Sequence, residues 1–243
     1  MKKSFFTKIW ICAIFILLGS ALFTVHLEGG RQQILNRLSP ASSSAHGFPV
    51  PDEFRGVVTS WIYIKADHYF HAKEWDRIVP LLRARATIDP RLTDSWSTGA
   101  WHLAFNLSEE VKKNPDSRKK FILQGVQFLE EGIRKNPRVA HLYFDLAWTY
   151  FMRLGDLQKA SQLFKTSFTI EPNLKNAIWL AYMYEKQGRY EDEMRLWEKY
   201  ISIFPTDQRG LYRFARAYAR SRRYKKEGPE LRGSERKTIL SKG

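Results

Sequence analysis

The sequence predicts an all-α chain: paired helices repeated at a fixed spacing behind one apolar N-terminal helix. Two observations carry this. Small residues recur in the contexts IKAD, GAWH, LAWTY, LAYMY and FARAY, at Ala66, Ala100, Ala147, Ala181 and Ala215, spaced by 34, 47, 34 and 34 residues. Prolines recur with them, at Pro90, Pro137, Pro172 and Pro205, following the preceding alanine by 24, 37, 25 and 24 residues. A period in this range marks one supersecondary unit that cannot bury its apolar face alone and must stack on copies of itself.

The chain begins MKKSFFTK, followed by an apolar stretch over residues 9–27 that has no charged residue before Glu28. About 20 apolar residues cross a bilayer core, so residues 1–27 read as a signal-anchor or transmembrane segment. Gly19-Ser20-Ala21 resembles a cleavage site, and a cleavable signal peptide is the competing reading. The anchor is preferred because Leu22, Phe23 and Val25 continue the apolar run. Lys2, Lys3 and Lys8 place the N-terminus in the cytoplasm by the positive-inside rule, and the rest of the chain outside it, periplasmic in a bacterium. Arg31 and Arg37 pull weakly the other way. Residues 28–55, rich in Gly, Ser and Pro, read as a flexible linker.

The 243 residues carry a net charge of +15. From Arg209 to Gly243 there are twelve Lys or Arg against three Glu, which is nine of those fifteen charges. A basic end of this kind suits an anionic surface, a polymer or an acidic protein. Cys12 is the single cysteine, so the fold is held by packing and not by an internal disulfide.

Between the linker and residue 224 each unit supplies two helices. The clearest runs from His141 to Asn173: Leu146, Ala147 and Tyr150 in a first helix, Gly155-Asp156 at a turn, Ala160, Phe164 and Ser167 in a second helix, then Pro172. Gly ends a helix in the left-handed conformation, and Pro cannot continue one. The next unit keeps Leu180, Ala181, Tyr184, Gly188, Tyr190, Trp197 and Pro205, and Phe214, Ala215 and Tyr218 begin another first helix. The second unit is longer than the others. Its excess falls on SEEVKKNPDSRKK, Ser108–Lys120, a charged insertion expected at one edge as a second contact or an idle loop.

A period of 34 with these residues resembles the tetratricopeptide repeat over about residues 56–224, leaving 225–243 as a basic tail. The resemblance implies an α-solenoid of helix-turn-helix repeats. Several positions depart from the pattern. Lys73 stands where the first turn expects Gly, Ile78 and Glu193 occupy a second-helix position that is usually small, and Pro80 falls inside a helix starting near Asp76. In this family the first helix of each unit lines the concave surface where peptides commonly lie. That register implies Tyr63, Asp67, Phe70 and His71, then Asp94, Trp101 and Phe105, then His141, Phe144, Trp148, Phe151 and Met152. It continues with Tyr182, Glu185 and Lys186, and ends with Arg209, Tyr212, Arg216 and Arg220. The centre would be aromatic and the C-terminal end basic, and Trp, Tyr and Arg are the types enriched at binding hot spots. Aromatics at helical spacing also serve as core, so a structural role for the same residues stands beside the binding role.

The carboxylate clamp of chaperone-binding members needs Lys and Asn where this chain has Tyr63 and Asp67. His68 and His71 share a helix face, but no Cys or HExxH-like motif accompanies them. No phosphate-cradling loop or nucleophile elbow is present, so an enzyme is not expected, and no cofactor or metal is implied. The basic tail has charge without a nucleic-acid readout module. The expected function is a membrane-anchored scaffold or adaptor binding partner proteins or peptides in an aromatic and basic groove. The alternatives are a structural tether whose basic tail holds an anionic surface or polymer, and a cytosol-facing receptor of the import type.

Overall fold

The computed structural model describes residues 50–227. The expected anchor, and the linker as far as residue 49, lie outside them, as does the tail beyond Glu227. Among the described residues no helix is long and apolar enough to cross a membrane.

Among the described residues ten α-helices follow one another: α1 Asp52–His71, α2 Trp75–Ile88, α3 Thr93–Trp101, α4 Ser108–Glu110, α5 Pro115–Lys135, α6 Ala140–Thr149, α7 Leu157–Ile170, α8 Leu174–Lys186, α9 Tyr190–Ile203 and α10 Gln208–Glu227. Two π-helical turns join them, His102–Leu107 between α3 and α4 and Tyr150–Leu154 after α6. The first helices of the units are therefore α1, α3 with α4, α6, α8 and α10, and the second helices are α2, α5, α7 and α9. The array starts earlier than expected, because Asp52–Arg55, assigned to the linker, form the first turn of α1.

The turns inside the first, third and fourth units obey one geometry. Gly155 and Gly188 have φ of 67° and 70°, and Lys73 takes the same left-handed conformation with φ 58°. The missing glycine thus changes the cost of the turn and not its path. Side chains cap the helices that follow: Asn114 accepts from the Ser117 amide, Asp156 from Lys159 and Asn173 from Asn176. Pro80 lies within α2.

The insertion is mostly helix, which corrects the second of its two expected readings, an idle loop. Ser108–Glu110 extend the first helix, and α5 runs 21 residues against 14 for each of α2, α7 and α9. Only residues 111–114 are outside a helix. Added residues are tolerated here because each helix lengthens along its own axis and keeps its contacts.

Close approach comes from glycine in the second unit. A Cβ on Gly125 would lie 2.9 Å from the Ala100 carbonyl oxygen and 2.9 Å from Ala104 Cβ, and one on Gly132 would lie 2.7 Å from the Trp96 ring. Units are then tied at their prolines: Trp96 Nε1 and Asn136 Nδ2 both donate to the Pro90 carbonyl, at 3.0 and 2.8 Å. The core forms two clusters, one around Trp96, Leu103, Phe128, Leu142 and Leu146 and one around Ala147, Phe164, Leu180 and Trp197. Helix α6 contributes to both. That explains the stretch LAWTYFMRLGD, which is apolar almost all round. Leu146 faces one cluster, Ala147 the other, and Trp148 and Phe151 reach the next unit.

Candidate functional site: the face of the first helices

The first helices approach one another directly at their C-terminal ends, so the inner side of the stack is a surface of its own. Arg153 joins α6 to the second unit: its guanidinium lies 4.3 Å from the Phe105 ring centre and donates to Glu109 at 2.7 Å. Trp148 and Phe151 meet Trp179 and Tyr182 of α8, with ring centres 4.6 Å apart for Trp148 and Trp179 and 5.9 Å for Phe151 and Tyr182. Arg220 of α10 pairs with Glu185 of α8 at 2.9 Å and with Glu193 of α9 at 3.2 Å. The π turns fall on this side. They carry Phe105 and Phe151, and widen the first helix where it passes its neighbour.

The residues expected in the groove separate into three groups. Tyr63, Phe70, Trp101 and Tyr212 are exposed, and Arg216 is exposed beside Tyr212, 5.8 Å from its ring centre. Phe105, Trp148, Phe151, Tyr182 and Arg220 are half-buried and spend much of their surface joining one unit to the next. Phe144 is 9% exposed, packs edge-on against Phe164 and belongs to the core, so its place in the groove is corrected. The side chain that covers it is Lys175, whose Nζ lies 4.0 Å from the ring centre.

Trp101 stands out. It is 48% exposed yet stacked flat on Phe105, with ring centres 4.1 Å apart and planes 9° from parallel. Arg153 also lies against Phe105, so the platform is fixed from within while Trp101 faces water. Met152, half exposed at 50%, comes from the adjoining π turn. Tyr63 lies over Arg85 of α2, and Phe70 touches Trp75 and His102, so these two sit at the N-terminal end of the face.

Its electrostatics are mixed. Burial pushes the Asp145 carboxyl above the ordinary carboxylate range, offset in part by Ser97, His141 and Lys175 around it. Hydrogen bonds from Arg118 and then Arg153 pull Glu109 down. Burial also pushes Glu193 up, against the pull of Arg220. The basic character sits at α10, which carries eight Lys or Arg and one Glu. Among the described residues no three His, Cys, Asp or Glu side chains gather to hold a metal.

Two participants were not foreseen, Trp179 and Arg153. Trp179 touches Trp148, Phe151, Phe164 and Tyr182 and is the hub of the aromatic cluster. The equivalent position of the preceding unit is Asp145, so the repeat gave no warning. Only its three-residue spacing from Tyr182 could have flagged it. Arg153 lies two residues before the turn at Gly155, outside the positions that the repeat register marks.

Residues 140–174 match the sequence profile of the tetratricopeptide repeat. No curated protein matches the chain. Among solved structures it is similar to a thermophilic tetratricopeptide protein of Thermus thermophilus, at 20% identity over 66% of this chain and 81% of that one, TM-score 0.46. It is also similar to MamA, at 16% identity over 75% and 96%, TM-score 0.47. A third likeness is to the first tetratricopeptide domain of Spaghetti bound to an HSP90 peptide, at 15% identity over 58% and 99%, TM-score 0.42.

Proposed function

We propose that this chain is a membrane-anchored scaffold that holds partner proteins or peptides on the inner face of its repeats. The observation that carries the reading is the Trp101–Phe105 platform: an exposed indole stacked on Phe105, which is backed by Arg153, the chain neighbour of exposed Met152. An aromatic held rigid before binding loses little conformational entropy on contact, which is what a hot-spot anchor requires. A partner with apolar anchors toward Trp101 and acidic groups toward Tyr212 and Arg216 suits the face. Anchoring comes from residues 9–27, and their flanking lysines favour an extracytoplasmic repeat domain. Confinement to a membrane raises effective concentration, so modest affinity suffices.

A photo-crosslinking amino acid placed at Trp101 or Met152 of the full chain in its membrane should yield protein adducts. The same group at Lys165, exposed on the second helix of the third unit, should not. Equal adducts from both faces would sink the reading. Protease added to intact cells should cleave the repeats, and protection there would reverse the topology.

A further inference from the structure

Among the described residues, helix α10 is a first helix with no second helix after it. It rests on α9 through Gly210, Ala217 and Ser221, all buried. In α8, one repeat earlier, Ala177, Ala181 and Tyr184 are 0%, 5% and 6% exposed, in contact with the core that α9 completes. Their counterparts 34 residues on are Leu211, Ala215 and Tyr218. Leu211 is 42% exposed, Tyr218 45%, and Ala215 is exposed as well. The alanine that marks the fifth helix in the sequence is therefore exposed, where Ala181 one repeat earlier is buried. Helical spacing continues this stripe into Arg222, with Lys225 and Lys226 on its flanks.

We propose that this open face of α10 docks an acidic amphipathic helix of a partner protein, in the position that a second helix holds in the units before it. Charge selects the occupant. The chain's own residues 229–243 have Arg232, Arg236, Lys237 and Lys242 against Glu230 and Glu235, so they carry the sign of the surface they would cover. A second copy would bring another α10, with its eight Lys or Arg, against the first. An acidic helix has the opposite sign, and α10 already holds one on its other side. Helix α9 has Glu191, Asp192, Glu193 and Glu198 against Arg195 and Lys199, and is gripped through Glu191–Lys225 at 2.9 Å and Glu193–Arg220 at 3.2 Å. The partner helix would set small or apolar residues on Leu211, Ala215 and Tyr218 and carboxylates over Arg222 and Lys226. This site is separate from the inner face and stands whether or not that face binds peptides.

The test uses the full chain and a labelled peptide of the α9 sequence, residues 190–203, as the acidic helix, beside a version with Lys at its four acidic positions. Fluorescence anisotropy should register the acidic peptide and not the Lys version. Arg222→Glu/Lys226→Glu should weaken the acidic peptide at least tenfold and admit the Lys version. Leu211→Ser/Tyr218→Ser should weaken the acidic peptide tenfold with helicity by circular dichroism unchanged. Equal binding of both peptides, or binding indifferent to these substitutions, overturns the proposal. So does a tenfold gain when Leu231, Ile239 and Leu240 are changed to Ser, which would make the tail the occupant. A sedimentation dimer lost in Leu211→Ser/Tyr218→Ser would assign the face to a second copy. Phosphatidylglycerol vesicles competing through Arg222 and Lys226 but not through Leu211 and Tyr218 would assign it to a surface.

Discussion

Units one and two hold their helices together with means that units three and four do not use. In α6 to α9 the turns carry Gly155 and Gly188, and the helices meet through Ala147, Ala160, Ala177 and Ala181. In α1 to α5 a lysine makes the left-handed turn, Ile78 is buried in α2 where α7 has Ala160, and α5 approaches α3 across Gly125 and Gly132. A buried histidine, His102, completes the junction, its ring stacked on Trp75 with centres 5.4 Å apart. Both halves alternate first and second helices, and in α5 a glycine against backbone stands where α7 has the buried Ala160.

The largest effect should come from filling the closest approach. Gly125→Val puts its first carbon 2.9 Å from the Ala100 carbonyl oxygen and from Ala104 Cβ, and neither can swing aside as a long side chain would. We expect a loss of about 3 kcal/mol in urea unfolding, toward the upper end of overpacking costs. Ala160→Gly at the equivalent place in α7 removes one buried methyl and should cost about 1–2 kcal/mol through lost burial and helix propensity. Similar losses at the two sites would mean that the halves do not differ in this respect.

The second contrast is one of pH. Burial pushes His102 down to about 4 from an ordinary 6.5, and Asn106 Nδ2 donates to its Nδ1 at 2.8 Å, a bond that only the neutral ring accepts. With the folded value below the unfolded one, the unfolded chain binds the extra proton, so stability falls as pH drops from 6.5 toward 4. Asp145 and Glu193 in the C-terminal half are shifted upward by burial and act in the opposite sense on acidification. Asp207, pulled down to about 2 first by its hydrogen bond from Arg209, costs stability only below its ordinary 3.8. Unfolding free energies from urea titrations at pH 7 and 4.5 should differ by roughly 2 kcal/mol in the native chain. His102→Phe, which keeps a ring against Trp75, should reduce that difference to a small remainder. An unchanged pH profile in the variant would remove His102 from the account.

Much of this architecture was legible because its markers lie on helix faces that must be buried in every unit: Ala66, Ala100, Ala147 and Ala181 are all buried, as spacing alone required. The inner face was less legible, because a first-helix aromatic can serve two purposes with one spacing. Phe144 turned inward to Phe164, Trp148 and Phe151 went to the neighbouring helix, and Trp101 stayed out, although the register sets all four on the groove side and gives Trp101 and Trp148 the same position. The deciding partners were Trp179 and Arg153, which do not recur. Nor does the register mark the π turns at His102–Leu107 and Tyr150–Leu154. Ala215 carries the opposite lesson: the sequence repeat continues there, while the packing that gives it meaning stops.

The smallest contrast is between turns, and it is reciprocal. Lys73 holds φ 58° between α1 and α2, and Gly188 holds φ 70° between α8 and α9. The left-handed region strains a residue with a Cβ by roughly 1 kcal/mol and strains glycine hardly at all. Nothing lies within 4 Å of a Cβ built on Gly188, so only the backbone term would act on Gly188→Ala. That substitution should therefore cost about 1 kcal/mol, while Lys73→Gly should stabilise by somewhat less, because glycine also gains freedom in the unfolded chain. Opposite signs in paired urea titrations would establish that the first turn is the same turn as the fourth, with a costlier residue in it. A loss in Lys73→Gly would mean that the lysine side chain contributes a contact worth more than the strain it imposes.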